Sequence, residues 1–326
     1  MTIKTHRLGF DIGGTKCAVL LGVNTPAGIS ICERVAFPTA PEGGPAGVLR
    51  RLQREAEFLL VQHAVASESV AGIGISCGGP LDSRRGLVLS PPNLPGWDAV
   101  PIVRHFTDAM GLPTHLQNDA NACALAEYKW GAGRGCRNMV FLTFGTGMGA
   151  GLILEGRLYP GSNDLGGEAG HLRLAEDGPV GFGKAGSFEG FCSGGGIARL
   201  AQARLKEAWA KGASSRLCAA AAGLETVTAQ KVFDAAAAGD GLARGVIATC
   251  GEYLGRGLAV LVDILNPEVI VIGSIFARQE AVLRPLMQAA LEREAIPLAL
   301  AVCRVVPAQL GEQIGDYASL AIAEGI

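Results

Sequence analysis

Twice in this sequence an apolar strand runs into a cluster of glycines and leaves it as another apolar strand, and that repeat constrains the fold more than any other feature. In the first unit Leu8-Gly9-Phe10 enters Asp11-Ile12-Gly13-Gly14-Thr15-Lys16, and residues 17–22 run out again. In the second, a strand over 139–144 enters Gly145-Thr146-Gly147-Met148-Gly149-Ala150-Gly151, and residues 152–154 follow. Adjacent glycines allow a tight turn whose N–H groups face an anion, and Thr15 adds a hydroxyl donor. A plain glycine hairpin explains either turn in isolation. Neither is a dinucleotide fingerprint, because such a loop must open a helix and these pass into strands. Their recurrence predicts two related α/β domains facing each other, each with a backbone cradle for phosphate.

Between the units lies a polar corner. Residues 113–116 are predicted as a short strand and residues 122–130 as an amphipathic helix, joined through Gln117, Asn118, Asp119, Ala120 and Asn121. Such a corner projects side chains from a rigid sheet edge, where α/β proteins place chemistry. Asp119 is the candidate general base. Asp and Asn are also favoured helix N-caps, so the corner has a purely structural reading as well.

Length and composition bound the rest. The 326 residues suffice for two domains with a large core, and the net charge of −2 gives no footprint for nucleic acid or an anionic membrane. The nine cysteines are scattered singly with no C-x-x-C pair, which predicts reduced thiols in a cytoplasmic protein. The mean hydropathy of +0.30 comes from apolar residues spread along the chain. The most apolar run, 258–265, is broken by Asp263 and too short to span a bilayer. Residues 1–7 are polar and lead into a strand, so no signal peptide is expected.

The remaining chain is predicted as a helix over 48–65 with His63 packed on its apolar face, a strand over 70–76, and a helix over 100–110. Further helices are predicted over 195–211, 229–238, 241–265, 280–293 and 313–323, with strands over 268–273 and 299–306. The loop 87–97 is stiffened by prolines and offers the amide of Asn93 and the indole of Trp97. It fits a polar small-molecule pocket and a rigid turn equally well. Glu168, His171 and Glu189 stand in glycine-rich, low-charge sequence, where carboxylates and imidazole suit the vicinal hydroxyls of a sugar.

Taken in order, the Asp11 to Lys16 loop, Pro92-Asn93-Leu94-Pro95-Gly96-Trp97, Asn118-Asp119-Ala120-Asn121-Ala122, Phe144-Gly145-Thr146-Gly147-Met148-Gly149 and Glu168-Ala169-Gly170-His171 resemble the ROK family of sugar kinases and regulators, within the actin and hexokinase-like ATPase superfamily. The resemblance covers nearly the whole chain. It implies an α/β protein of two ribonuclease-H-like domains facing a central cleft. The smaller would take residues 1–118 plus 312–326 and the larger residues 119–311, with a final helix returning to the first. It also implies ATP and Mg²⁺ as cofactors, a hexose or hexose derivative as substrate, and a homodimer.

In such kinases the residue matching Asp119 takes the proton of the sugar hydroxyl that attacks the γ-phosphate. Asp11 would lie near Mg²⁺ through water, and the turns at Gly13, Gly14, Thr15, Lys16 and at Gly145, Thr146, Gly147 would hold phosphates. Gly273 would border the nucleotide. Asn93, Asn118, Glu168, His171 and Glu189 match sugar-binding positions, and Gly79 falls in a loop bordering the sugar. Repressors of the family carry a helix-turn-helix ahead of the first phosphate loop. The few residues here predict a protein without that DNA-binding domain, the alternative to a kinase being a non-catalytic sugar sensor.

Two departures stand out. Where the family commonly has C-x-C-G-x-x-G-C-x-E, this chain has Val180-Gly181-Phe182-Gly183-Lys184-Ala185-Gly186-Ser187-Phe188-Glu189, with all three cysteines replaced. His171 and the nearby Cys192 do not make a four-ligand site, so no structural zinc is expected, and Phe182, Phe188 and Phe191 are expected to pack the loop instead. At Gly273-Ser274-Ile275 the family often has a run of glycines, so side chains intrude where a nucleotide would meet backbone.

Overall fold

The computed structural model describes residues 5–26, 28–39 and 43–325. The first four residues of the polar stretch 1–7 lie outside that range, and β1 (His6–Ile12) begins close behind it. β1 and β2 (Lys16–Thr25) pair antiparallel around the first glycine turn, with Ile12 opposite Cys17. β3 (Gly28–Pro38) extends the sheet along β2. It alternates half-buried and exposed residues and escaped the sequence reading, because an edge strand with one wet face lacks a continuous apolar run. α1 (Gly44–Gln62) starts earlier than expected, with a proline in its first turn, and ends before His63. His63 is not packed in the core: it is exposed, its Nε2 3.1 Å from the Glu33 carboxylate. β4 (Val70–Cys77), β5 (Leu81–Asp82), β6 (Leu87–Val88), α2 (Ile102–Met110), β7 (Thr114–Asn118) and α3 (Asp119–Trp130) follow.

The later elements are β8 (Met139–Leu142), β9 (Ala150–Leu154), β10 (Arg157–Leu158), β11 (Val180–Gly181), β12 (Lys184–Ala185), α4 (Phe188–Cys192), α5 (Gly194–Ala210), α6 (Ala229–Ala237), α7 (Gly241–Leu265), β13 (Val269–Ile272), α8 (Ile275–Glu294), α9 (Pro297–Leu300), β14 (Arg304–Pro307) and α10 (Ile314–Ile322). The strand expected over 299–306 is thus a short helix followed by a shorter strand. Pro297 sits at the first helical position, where its missing N–H costs nothing. The two large sheets run β3-β2-β1-β4-β7 and β10-β9-β8-β13-β14. Each couples an antiparallel hairpin to a parallel set, so the repeated glycine unit does mark a repeated topology.

The chain divides into two compact units, Met1–Arg137 with Gly151–Gly166 and Gln309–Ile326, and Asn138–Ala150 with Gly167–Ala308. The division expected after residue 118 therefore falls later, and α3 stays with the first unit. α3 packs along α10, and a Cβ at Gly151 would lie 2.5 Å from that of Ala124 on α3. Glu127 adds the strongest tie. It is fully buried, its carboxylate accepts the N–H groups of Ala132 (2.7 Å) and Leu310 (2.9 Å), and its carbonyl accepts those of Gly131 and Gly133.

In unit 1 the sheet is covered on one face by α1 and α2, where Phe10 meets Phe106 edge-on at 4.8 Å. On the other face lies α10, admitted by strand glycines: a Cβ on Gly74 would stand 2.0 Å from the Ser319 carbonyl. In unit 2, α7 is long and apolar enough to cross a membrane by length and composition alone. However, 61% of its most apolar window is buried, and it packs against α4, α5, α6 and α8 as a core helix. Its glycines make this possible, since a Cβ on Gly255 would lie 2.3 Å from the Met287 carbonyl of α8.

Candidate functional site

In unit 1 the end of β1, the first glycine turn, the Gly78-Gly79 loop, Asn93 and the β7–α3 corner come together. Gly14 has to be glycine, because a Cβ there would lie 2.5 Å from the Asn93 carbonyl. The Asn93 amide in turn stands 3.5 Å from where a Gly78 Cβ would be, and Asn93 and Gly79 are both exposed. Trp97, the other candidate on this loop, is 3% exposed and belongs to the core, so only Asn93 is open to a ligand. The Gly13 N–H donates to the Lys16 carbonyl (3.0 Å) and closes the turn. Gly14 and Thr15 therefore offer the N–H groups for an anion, with Thr15 and Lys16 both exposed.

At the corner the structure separates two roles that the sequence left together. Asn118 is the N-cap of α3, its Oδ1 accepting the Asn121 N–H at 2.8 Å, and Gln117 Oε1 accepts the N–H of Asn118 and the side-chain amide of Asn121. The cap leaves Asp119 in the first helical turn, where Oδ1 accepts the N–H of Ala120 (2.8 Å). Water reaches Asp119, which is exposed, yet protein crowds round it closely enough to limit solvation of its charge. That desolvation raises its carboxyl pKa, against the lowering effect of the Ala120 N–H. Asp11 is half-buried, and its carboxyl is pushed up to about 6, first by burial and then by the carboxylates of Asp316 and Asp119, with Arg34 and Lys16 opposing.

Unit 2 carries the other half of the candidate residues. The N–H of Gly145 donates to the Gly147 carbonyl (3.1 Å), so this turn also closes on itself and leaves Thr146 and Gly147 facing outward. Glu189 Oε2 accepts the Met148 N–H at 3.0 Å, and a Cβ on Gly147 would lie 2.9 Å from that oxygen. The 3-10 turn Ala169–His171 lies on the same loop, since a Cβ on Gly170 would stand 2.3 Å from the Met148 carbonyl and 3.3 Å from the Glu189 Cβ. Glu168, His171 and Glu189 are thus brought together beside the second glycine turn.

The loop that replaces the zinc motif packs differently from expectation. Phe188 and Phe191 are buried, Phe191 stacking on Tyr253 at 3.5 Å. Phe182 is 75% exposed at the β11–β12 turn, its ring meeting the His171 ring edge-on at 5.1 Å. Lys184 Nζ donates to the His171 carbonyl (2.8 Å). Cys192 is buried in α4, its thiol directed to the Cys250 carbonyl. Among the described residues no group of three or more His, Cys, Asp or Glu is arranged to hold a metal.

Beside the second glycine turn unit 2 has a cavity of about 520 Å³, bounded by Gly145, Thr146, Gly194, Gly195, Ser274, Ile275 and Arg278, with Val227, Thr228, Gln230 and Phe233 across from them. Gly145 and Thr146 come from the β8–β9 turn, Gly194 and Gly195 from the start of α5, Val227 to Phe233 from the entry and first half of α6, and Ser274 to Arg278 from the start of α8; helix N-termini favour negative charge. The lining combines groups suited to phosphate, Thr146, Ser274 and Arg278, with the apolar side chains of Val227, Phe233 and Ile275. Gly273 is not part of this lining: it precedes Ser274 in the chain, and its N–H is bonded to the Leu142 carbonyl (2.9 Å). The sequence reading missed Val227, Thr228, Gln230, Phe233 and Arg278. Their only local mark is Thr228, which caps α6 through the N–H of Lys231.

Comparison with known proteins places the chain in a family. The model of the ROK family matches residues 7–325. A glucokinase of Thermotoga maritima is 32% identical over 320 residues, 98% of this chain and 97% of that protein. A ROK family glucokinase from Streptomyces griseus, solved in complex with glucose and AMPPNP, superposes with a TM-score of 0.71 at 28% identity and covers 98% of this chain and 99% of its own. A ROK family transcriptional regulator, a homologue of the Escherichia coli MLC protein, superposes with a TM-score of 0.82 at 26% identity, over 98% of this chain and 78% of its own.

Proposed function

The chain belongs to the ROK family, and from that premise we propose that it is an ATP-dependent kinase that transfers the γ-phosphate of ATP to a hydroxyl of a hexose or hexose derivative. One observation carries the reading: Asn118 caps α3, which leaves the carboxylate of Asp119 accessible, with a raised pKa, near that of Asp11. A group tuned toward neutrality is an effective base for an alcohol, whose proton it must hold while the oxygen attacks phosphorus.

The remaining residues bind and orient. Asn93, Asn118, Glu168, His171 and Glu189 supply donors and acceptors for the ring hydroxyls, and Gly79 borders them. The turns at Gly14-Thr15 and Thr146-Gly147 present N–H groups to phosphoryl oxygens, and the cavity in unit 2 takes the nucleotide. Asp11 suits Mg²⁺ as a single carboxylate acting with the nucleotide's phosphates and water rather than as part of a protein cage, and a cation there would relieve the carboxylate crowding that lifts Asp11 to about 6. When bound with the nucleotide that ion neutralises charge on the phosphate chain, and Asp11 would hold it through water. Exclusion of water during transfer keeps the sugar as acceptor.

The test is coupled ADP release with Mg²⁺-ATP against a panel of hexoses and N-acetylhexosamines, with Asp119→Ala as the blank. A signal with one sugar that the variant loses is the expected result. Near-normal turnover in the variant would overturn the base assignment. The likeness to a family regulator favours a second reading, a sugar sensor, which predicts sugar-dependent thermal stabilisation and no ADP release with any sugar.

A further inference from the structure

Ser274 departs from two local rules at once. It stands at the N-cap position of α8, yet its side chain caps nothing, although serine there ordinarily accepts a first-turn N–H. Its backbone adopts φ 55° and ψ −115°, a region that glycine enters freely and a residue with a Cβ occupies under strain. Neither cost serves the helix. Strain of this kind persists where surrounding structure imposes it, and such positions concentrate at ligand sites.

The conformation aims the hydroxyl at the candidate nucleotide cavity, which Ser274 lines together with Gly145, Thr146 and Arg278. Its Oγ lies 3.7 Å from where a Gly145 Cβ would be and accepts from Arg278 Nη2 at 3.4 Å. A hydroxyl that accepts from a guanidinium keeps its own hydrogen for another partner. Opposite it, the N–H groups of Gly194 and Gly195 are already bonded to the carbonyls of Gly145 and Thr146, so the second glycine turn is held in place from α5.

Resting on the kinase reading, we propose that Ser274 is a nucleotide-binding residue that donates its hydroxyl hydrogen to the phosphate chain of the donor nucleotide, with Arg278 orienting it and adding positive charge. An anion is the group that a hydroxyl and a guanidinium side by side, next to a glycine turn and a helix N-terminus, recognise together. The glycine-like backbone is the cost of placing the hydroxyl there, and a glycine at 274 would remove both the strain and the contact.

Two variants separate the contact from the strain. Ser274→Ala keeps the Cβ and hence the strained backbone but lacks the hydroxyl, whereas Ser274→Gly lacks both. Direct titration of each protein with ATP, ADP and adenosine at fixed Mg²⁺ is paired with thermal unfolding. Both variants should bind ATP and ADP about 10-fold more weakly, as expected for loss of a hydrogen bond to a charged group, and adenosine as the wild type does. Only Ser274→Gly should gain stability, with Tm raised by about 2–4 °C. Greater stability with weaker binding is an outcome that a purely structural role cannot produce. ATP binding by Ser274→Ala equal to that of the wild type, or an equal loss for ATP and adenosine, would overturn the phosphate contact alone. Failure of the wild type to bind any nucleotide would sink the kinase reading and the contact with it.

Discussion

Asp11 shows how a single residue links stability to chemistry. Its carboxyl rises from an ordinary 3.8 to about 6 because burial and the carboxylates of Asp316 and Asp119 disfavour its charge. Between these values the folded protein binds more protons than the unfolded chain, so this residue's contribution to stability falls as pH rises through that window and is fully lost above about 6. In the metal-free protein Asp11→Asn should therefore be more stable than the wild type at pH 7, by about 1–3 kcal/mol. At pH 4 it should show little gain, and thermal melts at the two pH values check the difference. For Asp119 the direction is also upward, and a base must be ionised to act. The acid limb of kcat/KM should then titrate above the usual carboxylate range. A profile that stays flat down to pH 4 would remove Asp119 from the role. Neither shift was legible beforehand. The motifs mark both aspartates, but the burial that dominates each shift comes from the packed surroundings, and Asp316 and Arg34, which also act on Asp11, sit on α10 and β3.

At the scale of elements, two contacts decide how the site is held. Glu127 takes N–H groups from Ala132 and Leu310, so one buried carboxylate ties the end of α3 to the segment entering α10. Gly131 is part of the same device, because a Cβ there would lie 2.0 Å from Glu127 Oε2. Glu127→Gln would turn an NH₂ group toward one of those donors and should cost about 2–4 kcal/mol in chemical denaturation. A change below about 0.5 kcal/mol would show that the carboxylate is not needed. The second contact is Gly257 on α7, whose missing Cβ leaves room for the Phe188 ring at 2.4 Å. Phe188 directly precedes Glu189. Gly257→Ala should cost about 1–3 kcal/mol by overpacking and also raise the KM for sugar. An unchanged KM would show that α4 tolerates the shift without moving Glu189.

For the whole molecule, metal dependence separates catalysis from architecture. The run from Val180 to Glu189 lacks the thiolates of a structural zinc site, and Phe188 and Phe191 are buried, packed against Gly257 and Tyr253 of α7. A zinc chelator should therefore leave Tm unchanged, whereas removal of Mg²⁺ should stop turnover without unfolding the protein. A fall in Tm on zinc chelation would show that ligands are recruited elsewhere. The sequence by itself determined the two glycine turns, the α/β class, the positions of most helices and the candidate residues at the polar corner. Those features follow from period, turn chemistry and backbone freedom over a few residues. Only the tertiary structure placed α3 with α10, divided capping from chemistry between Asn118 and Asp119, buried Trp97, exposed Phe182 against His171, and assembled one cavity from the second glycine turn and parts of α5, α6 and α8. Each of those outcomes depends on contacts between residues far apart in the chain, about which local periodicity carries no information.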